Sequence, residues 1–196
     1  MQSLSTERLQ LRTYEMKDEK AIYEVINSPG IFKTTLNIPY PYPKEQVSIW
    51  IHFTMKNSLY KRGYEYGIFS KTGKYIGNVG IVNIDWLNNS AEVTYFIGEA
   101  YWGQGYATEA VQAMLIFAFE NLELERIQGR CMSGNLASFK VMEKCGLSYE
   151  GLARHEVIKG SKYHDVVYAA ILKEDYFKQK QYTNKEQGKA PNSRLT

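Results

Sequence analysis

The stretch AEVTYFIGEAYWGQGYATEA at positions 91–110 concentrates the residue types that can do chemistry. A strand-like alternation runs into Gly103-Gln104-Gly105, and a helical pattern starts at once. Glycines at such a junction leave backbone N–H groups open. The helix start adds partial positive charge, so a phosphate or pyrophosphate can rest there. Gly105 and Ala107 are small enough to let a ligand approach the backbone. The residues alone leave two uses open: a plain turn that needs glycine for its geometry, or a cradle for the pyrophosphate of a nucleotide cofactor. A nucleoside triphosphate loop is disfavoured, because no Lys-Ser/Thr pair follows the glycines. A dinucleotide fold is disfavoured too, since position 108 is Thr and the preceding strands read as antiparallel.

Such a loop must be held by a layered domain, and the rest of the chain reads as one. Leu9 and Leu11 alternate with polar residues as a short strand. Asp18 can cap a helix carrying Ala21, Ile22, Val25 and Ile26, which Ser28-Pro29-Gly30 is expected to end. A loop with Pro39, Pro41 and Pro43 precedes a second helix with Val47, Trp50, Ile51, Thr54 and Met55 on one face. Three strands follow, at 65–69, 75–84 and 91–98, joined by short turns that favour antiparallel neighbours. From Gly105 a helix carries Ala107, Ala110, Val111, Met114, Leu115 and Ala118. A strand at 126–131, a shorter helix from Asn135 that ends at Gly146, and strands at 149–158 and 163–172 complete the order. The expected fold is α/β (α+β): one domain over residues 1–182, with a mixed, mostly antiparallel sheet of about seven strands and about four helices. Residues 183–196 are polar and are expected to form a disordered tail.

Composition narrows the function. The 196 residues carry a formal net charge of +3 without a compact basic block, which argues against a nucleic-acid partner. Two cysteines, Cys131 and Cys145, suggest neither a disulfide framework nor a metal cluster. The longest nearly apolar run, 110–119, is too short to span a bilayer, and the N-terminus has no signal core, so a cytoplasmic protein is expected.

The segment from Tyr101 to Ala110 resembles the acetyl-CoA loop of the GNAT superfamily of N-acetyltransferases, in particular the branch of ribosomal-protein N-terminal and spermidine acetyltransferases. The superfamily pattern is Gln/Arg-x-x-Gly-x-Gly/Ala. Gly105 and Ala107 match it, whereas Trp102 stands where Gln or Arg is usual. Three further stretches resemble the same branch in the same order: Thr6 to Arg12, Asn135-Leu136-Ala137-Ser138 with Lys144 to Leu147, and Tyr163 to Val166. The resemblance implies two central strands that splay apart to admit the pantetheine arm of acetyl-CoA. Backbone N–H groups near Phe96, Ile97 and Gly98 would polarise the thioester. The pyrophosphate would lie on amides from Gly103 through Gln104, Gly105, Tyr106 and Ala107 to Thr108. Asn135 would bond the pantetheine arm, and Ser138 would lie near the sulfur. The implied acceptor is a primary amine, either a protein N-terminus or a small molecule, and pairing through the last strands would make a homodimer.

Acetyl transfer to an amine needs a neutral nitrogen, support for the tetrahedral oxyanion and a leaving thiolate. The resemblance makes Glu92 and Glu156 candidates for the base, each with the plainer alternative of a solvent-facing strand carboxylate. Ser138 is a candidate donor to the departing sulfur, or a hydroxyl that satisfies a helix start. Asn135 can equally cap that helix. Asp165 is expected to order the last hairpin. His155 and His164 have no telling spacing and read as surface or packed residues. Tyr40, Tyr42 and Trp50 could line an acceptor pocket or simply pack. A non-catalytic acetyl-CoA binder on the same fold is the alternative function.

Overall fold

The computed structural model describes residues 3–187. Eight strands form one sheet: β1 (Leu4–Ser5), β2 (Leu9–Arg12), β3 (Tyr64–Ser70), β4 (Tyr75–Asp85), β5 (Ser90–Ile97), β6 (Arg126–Met132), β7 (Ser148–Lys159) and β8 (Lys162–Leu172). Their spatial order is β1-β2-β3-β4-β5-β6-β8-β7. Every neighbouring pair is antiparallel except β5 and β6. Six helices flank it: α1 (Glu19–Ile26), α2 (Pro29–Thr34), α3 (Glu45–Leu59), α4 (Tyr106–Ile116), α5 (Leu136–Lys144) and α6 (Lys173–Gln187).

The extra elements have plain causes. Ser28-Pro29-Gly30, expected to stop a helix, follows directly on the end of α1 at Ile26 and also starts α2. The Ser28 hydroxyl accepts hydrogen bonds from the N–H of Gly30 and Ile31, and Pro29 occupies the first helical turn, where a missing N–H costs nothing. β1 is two residues long, too short to show a periodicity. α6 has no apolar stripe. It is anchored by Tyr176, which stacks on the buried Phe119 at 4.9 Å and hydrogen-bonds Glu120. This helix continues five residues into the expected tail, and positions 188–196 lie outside the described residues.

The alternation of the central strands divides the core in two. Tyr64, Tyr66 and Ile68 of β3, Val79 and Ile81 of β4, and Val93 and Ile97 of β5 pack under α4 in a continuous apolar layer. On the opposite face Phe69, Tyr75 and Phe96 meet a smaller cluster from α1, α2 and α3. That second face also carries Glu65, Asn78, Glu92 and Thr94, and there the sheet is left partly uncovered as a chamber.

Candidate active site

The strand–helix junction leaves main-chain N–H groups uncovered. Gly103 and Gly105 have φ of 73° and 81°, and an added Cβ at Gly103 would meet nothing within 4 Å. No side chain caps α4, so its first N–H groups stay open. The cradle is braced from behind by Glu109. Its carboxylate accepts hydrogen bonds from Thr6 Oγ1 (2.5 Å), the Arg8 N–H (2.8 Å) and Arg8 Nε (2.6 Å). Burial pushes the Glu109 pKa up, but these three bonds outweigh it and hold it below the usual range. Arg8 Nη1 also donates to the Gln104 carbonyl at 2.8 Å.

β5 and β6 pair from Ser90↔Arg126 to Glu92↔Gln128 and then part, as the splayed-strand expectation requires. Beside this gap lies a chamber of about 400 Å³. Its wall includes Phe96, Ile97, Gly103, Gly105, Tyr106, Ala107, Thr108, Asn135 and Ser138, together with Lys140 and Lys144. Gly98 and Gln104 stand outside it. The Gly98 N–H is committed to the Ile76 carbonyl at 2.9 Å, so it cannot polarise a thioester, and alternation along the ladder turns the Phe96 N–H toward β4 as well. Ile97 is the one of the three whose N–H faces the gap. Its carbonyl accepts a hydrogen bond from the Trp102 indole at 2.5 Å, a use the sequence did not suggest for the residue replacing Gln or Arg. Gln104 contributes its carbonyl to Arg8, and its side chain donates to Ala100.

A second, larger chamber of about 1110 Å³ opens on the other face. The two share Thr34, Thr35, Tyr95, Phe96 and Ser138, so they adjoin at the β5–β6 gap. At this junction the Tyr95 hydroxyl lies 2.8 Å from Ser138 Oγ and 2.9 Å from the Ser138 carbonyl. Burial pushes the Tyr95 phenol up, so it stays protonated as a donor. Asn135 caps α5 by accepting from the Ser138 N–H (3.1 Å). Its amide nitrogen donates to the Thr34 carbonyl (2.8 Å) and ties α2 to α5 across the entrance.

The larger chamber holds the carboxylates. Glu92 is 6% exposed, which removes the solvent-facing alternative. One of its oxygens pairs with Arg130 Nε at 2.9 Å, and the other accepts from Asn83 at 3.3 Å. Arg130 also reaches Glu156 at 3.2 Å, and Tyr168 donates to the same Glu156 oxygen at 2.5 Å. The two glutamates named separately from sequence therefore meet through Arg130. Glu156 gets there because β7 bulges between Ala153 and Val157, where Asp165 accepts the His155 N–H at 2.8 Å. Asp165 orders the hairpin as expected, and neither His155 nor His164 lines a chamber. Tyr42 and Trp50 line the larger chamber, whereas Tyr40 lies outside it beside Phe32.

Sequence reasoning missed Arg130, Asn78 and Glu65. Glu65 lies in a strand whose neighbours are aromatic, so it reads as an ordinary polar position. Its carboxylate accepts from Asn78 Nδ2 at 3.1 Å, while the Asn78 oxygen accepts from Tyr14. Burial pushes the Glu65 pKa up to about 7 against the opposing pull of Asn78. Among the described residues no group of acidic, histidine and cysteine side chains is arranged to hold a metal, and no helix is long and apolar enough to cross a membrane.

A family model, the acetyltransferase (GNAT) domain, matches residues 8–148. The chain is similar to the uncharacterized N-acetyltransferase p20 of Bacillus licheniformis, with 33% identity over 90% of this chain and 99% of that protein. It is 28% identical to the ribosomal-protein-serine acetyltransferase of Escherichia coli (strain K12), over 85% of this chain and 94% of the other. Its fold matches the spermidine N-acetyltransferase of Vibrio cholerae, solved with CoA and spermine, at a TM-score of 0.77 and 23% identity over 88% of this chain and 99% of that one.

Proposed function

The chain belongs to the GNAT acetyltransferase family, and from that premise we propose that it moves the acetyl group of acetyl-CoA onto a primary amine that enters as a cation, either a protein N-terminus or a small amine. One observation carries the reading: two chambers on opposite sides of the β5–β6 gap meet at Tyr95 and Ser138. The smaller has an anion cradle and two lysines, fitted to a polyanionic donor. The larger combines Tyr42, Trp50 and Phe96 with carboxylates, fitted to an amine.

The chemistry asked of the chain is modest. The acceptor nitrogen must lose a proton and attack the thioester carbon. The C–N bond forms as the C–S bond breaks, and the CoA thiolate leaves with a proton from nearby. In this reading the Ile97 N–H that faces the gap supports the oxyanion. The Ser138 hydroxyl, held by Tyr95, meets the sulfur. A thiol pKa of ~8.5 makes the thiolate a fair leaving group, so positioning can supply much of the rate.

The test is direct. Purified protein with acetyl-CoA is offered peptides beginning in Ser or Ala, spermidine and an aminoglycoside, with free CoA thiol and product mass as readouts. We expect acetylation of at least one amine. Tight acetyl-CoA binding with no acetylated product across the panel would leave a non-catalytic binder instead.

A further inference from the structure

The larger chamber contains two carboxylates in very different states. Glu92 has both oxygens engaged, by Arg130 and by Asn83. Glu65 has one oxygen on Asn78, and among the described residues no cation lies within salt-bridge distance of it. The amide of Asn78 is fixed by its far end. Tyr14 donates to Oδ1, so Nδ2 must face Glu65, and the second Glu65 oxygen is left to the chamber.

The sheet aims this side chain. Glu65 lies opposite Gly80 on β4, and Gly80 lies opposite Thr94 on β5. All three share one face. A Cβ on Gly80 would come within 2.7 Å of Glu65 Cγ, so the glutamate stem lies across the space a side chain would fill, leaning toward β5. Gly80 is thus the reason a β3 residue can reach toward the gap where the chambers meet. Tyr42 and Trp50 stand in the same wall, and the nearer titratable groups, Tyr14, Tyr42 and Tyr75, are phenols. The ionic groups that share the chamber are the paired Glu92 and Arg130, and Arg62.

We propose that Glu65 binds the acceptor's ammonium group and takes its proton before attack, while the Glu92–Arg130–Glu156 array only shapes the wall. The inference rests on the acetyltransferase reading above and names the base within it. An ammonium arriving beside Glu65 supplies the one partner its free oxygen lacks. The proton passes from nitrogen to the Glu65 carboxylate and the neutral nitrogen attacks; as the C–S bond breaks, the second proton of the now cationic nitrogen goes to the departing thiolate, and the protonated Glu65 returns its own proton to water after product leaves. A carboxyl raised by burial is matched to that exchange near neutral pH.

The experiment compares wild type, Glu65→Gln and Glu92→Gln with the best amine from the panel, measuring kcat/KM from pH 5.5 to 9.5 and acetyl-CoA affinity by calorimetry. Wild type should show an acid limb near pH 7. Glu65→Gln should lose that limb and about a hundredfold in kcat/KM at pH 7, recover part of it at alkaline pH, and bind acetyl-CoA as wild type does. Glu92→Gln should keep the limb. An unchanged limb in Glu65→Gln, its loss in Glu92→Gln instead, or weakened acetyl-CoA binding in Glu65→Gln would overturn the assignment. Asn78→Ala serves as a second probe should Glu65→Gln fold poorly. Without its donor the Glu65 carboxylate is less favoured, so the limb should move to higher pH, and a limb that stays in place counts against the proposal. A wild type that acetylates nothing in the panel would sink the functional reading itself, an outcome separate from any behaviour of the variants.

Discussion

The two chambers are built from different materials. The smaller rests on main chain: open N–H groups at the start of α4, the edge of β5 where β6 departs, and glycines that keep side chains away. The larger is made of side chains drawn from β3, β4, β5, β6, α3 and the loop after α2, and its character depends on which carboxylate is paired with what. A backbone site tolerates change except at positions with special geometry. A side-chain site can be retuned by single substitutions, which suits the half of the reaction that must select an acceptor.

If this contrast is right, the largest effect should come from the smallest residue. Gly105→Asp puts a side chain at φ 81°, a conformation that L residues rarely adopt, with its Cβ 3.3 Å from the Arg8 guanidinium that braces the turn. We expect acetyl-CoA affinity to fall by at least about a hundredfold as the strained turn shifts, its brace is diverted and negative charge is added beside the N–H groups, in a protein whose circular dichroism is unchanged. Calorimetry showing wild-type affinity in the folded variant would break the backbone half of the comparison.

Glu92→Leu sharpens the other half. It leaves Arg130 facing the chamber with only Glu156, at 3.2 Å, in place of a buried partner. Breaking a buried pair from one side costs about 3 kcal/mol, and urea unfolding should show a loss of that order while acetyl-CoA binding stays close to wild type. A loss well below 1 kcal/mol would mean that the pair contributes little.

Glu65 should cost the fold stability where it is ionised. Its native pKa, about 7, lies above the unfolded value near 4.5, so the native state holds the proton more tightly. Between these values the unfolded state binds fewer protons, and stability falls as pH rises from about 4.5 to 7 and then levels off. The full span is on the order of 3 kcal/mol. Glu65→Gln should therefore be more stable than wild type at pH 8 and no better at pH 4, read as a Tm difference that grows with pH. A Tm difference independent of pH would place Glu65 in ordinary solvent.

The smallest expected effect lies at the junction. Tyr95→Phe removes the hydroxyl that orients Ser138, and we expect kcat to drop about tenfold with acetyl-CoA affinity unchanged. A change in KM for the amine alone would move Tyr95 from the junction to the acceptor wall.

The same division explains what could be read from sequence. The cradle is contiguous, so residues 96–108 carried nearly all of it; alternation and turn signals gave the antiparallel strands that lead into it, while the parting of β5 from β6 followed only from the family resemblance. Even there the main-chain detail was invisible: only the ladder register shows that Gly98 is spent on Ile76 and that Ile97 faces the gap. Glu65, Asn78 and Arg130 were missed because strand pairing brings together positions far apart in the chain. The available hint was a glutamate in an apolar strand, with a glycine at 80 in the next one. Ser28-Pro29-Gly30 does follow the end of α1, but the start of α2 there was missed, because the residues that end one helix can also start another and only the hydrogen bonds of the Ser28 hydroxyl reveal the second role. Glu92 and Glu156 were named, but their junction through Arg130 depends on a bulge that residue types do not announce.

The central claim is that a donor in the smaller chamber and an acceptor in the larger one meet between Tyr95 and Ser138. A crystal structure of the protein with CoA tests it most directly. The account predicts the pyrophosphate on the amides at the start of α4, the pantetheine arm in the β5–β6 gap, and the sulfur beside the Ser138 hydroxyl, opening onto the wall that carries Glu65. A pyrophosphate bound elsewhere, or a sulfur closed off from the larger chamber, would contradict it.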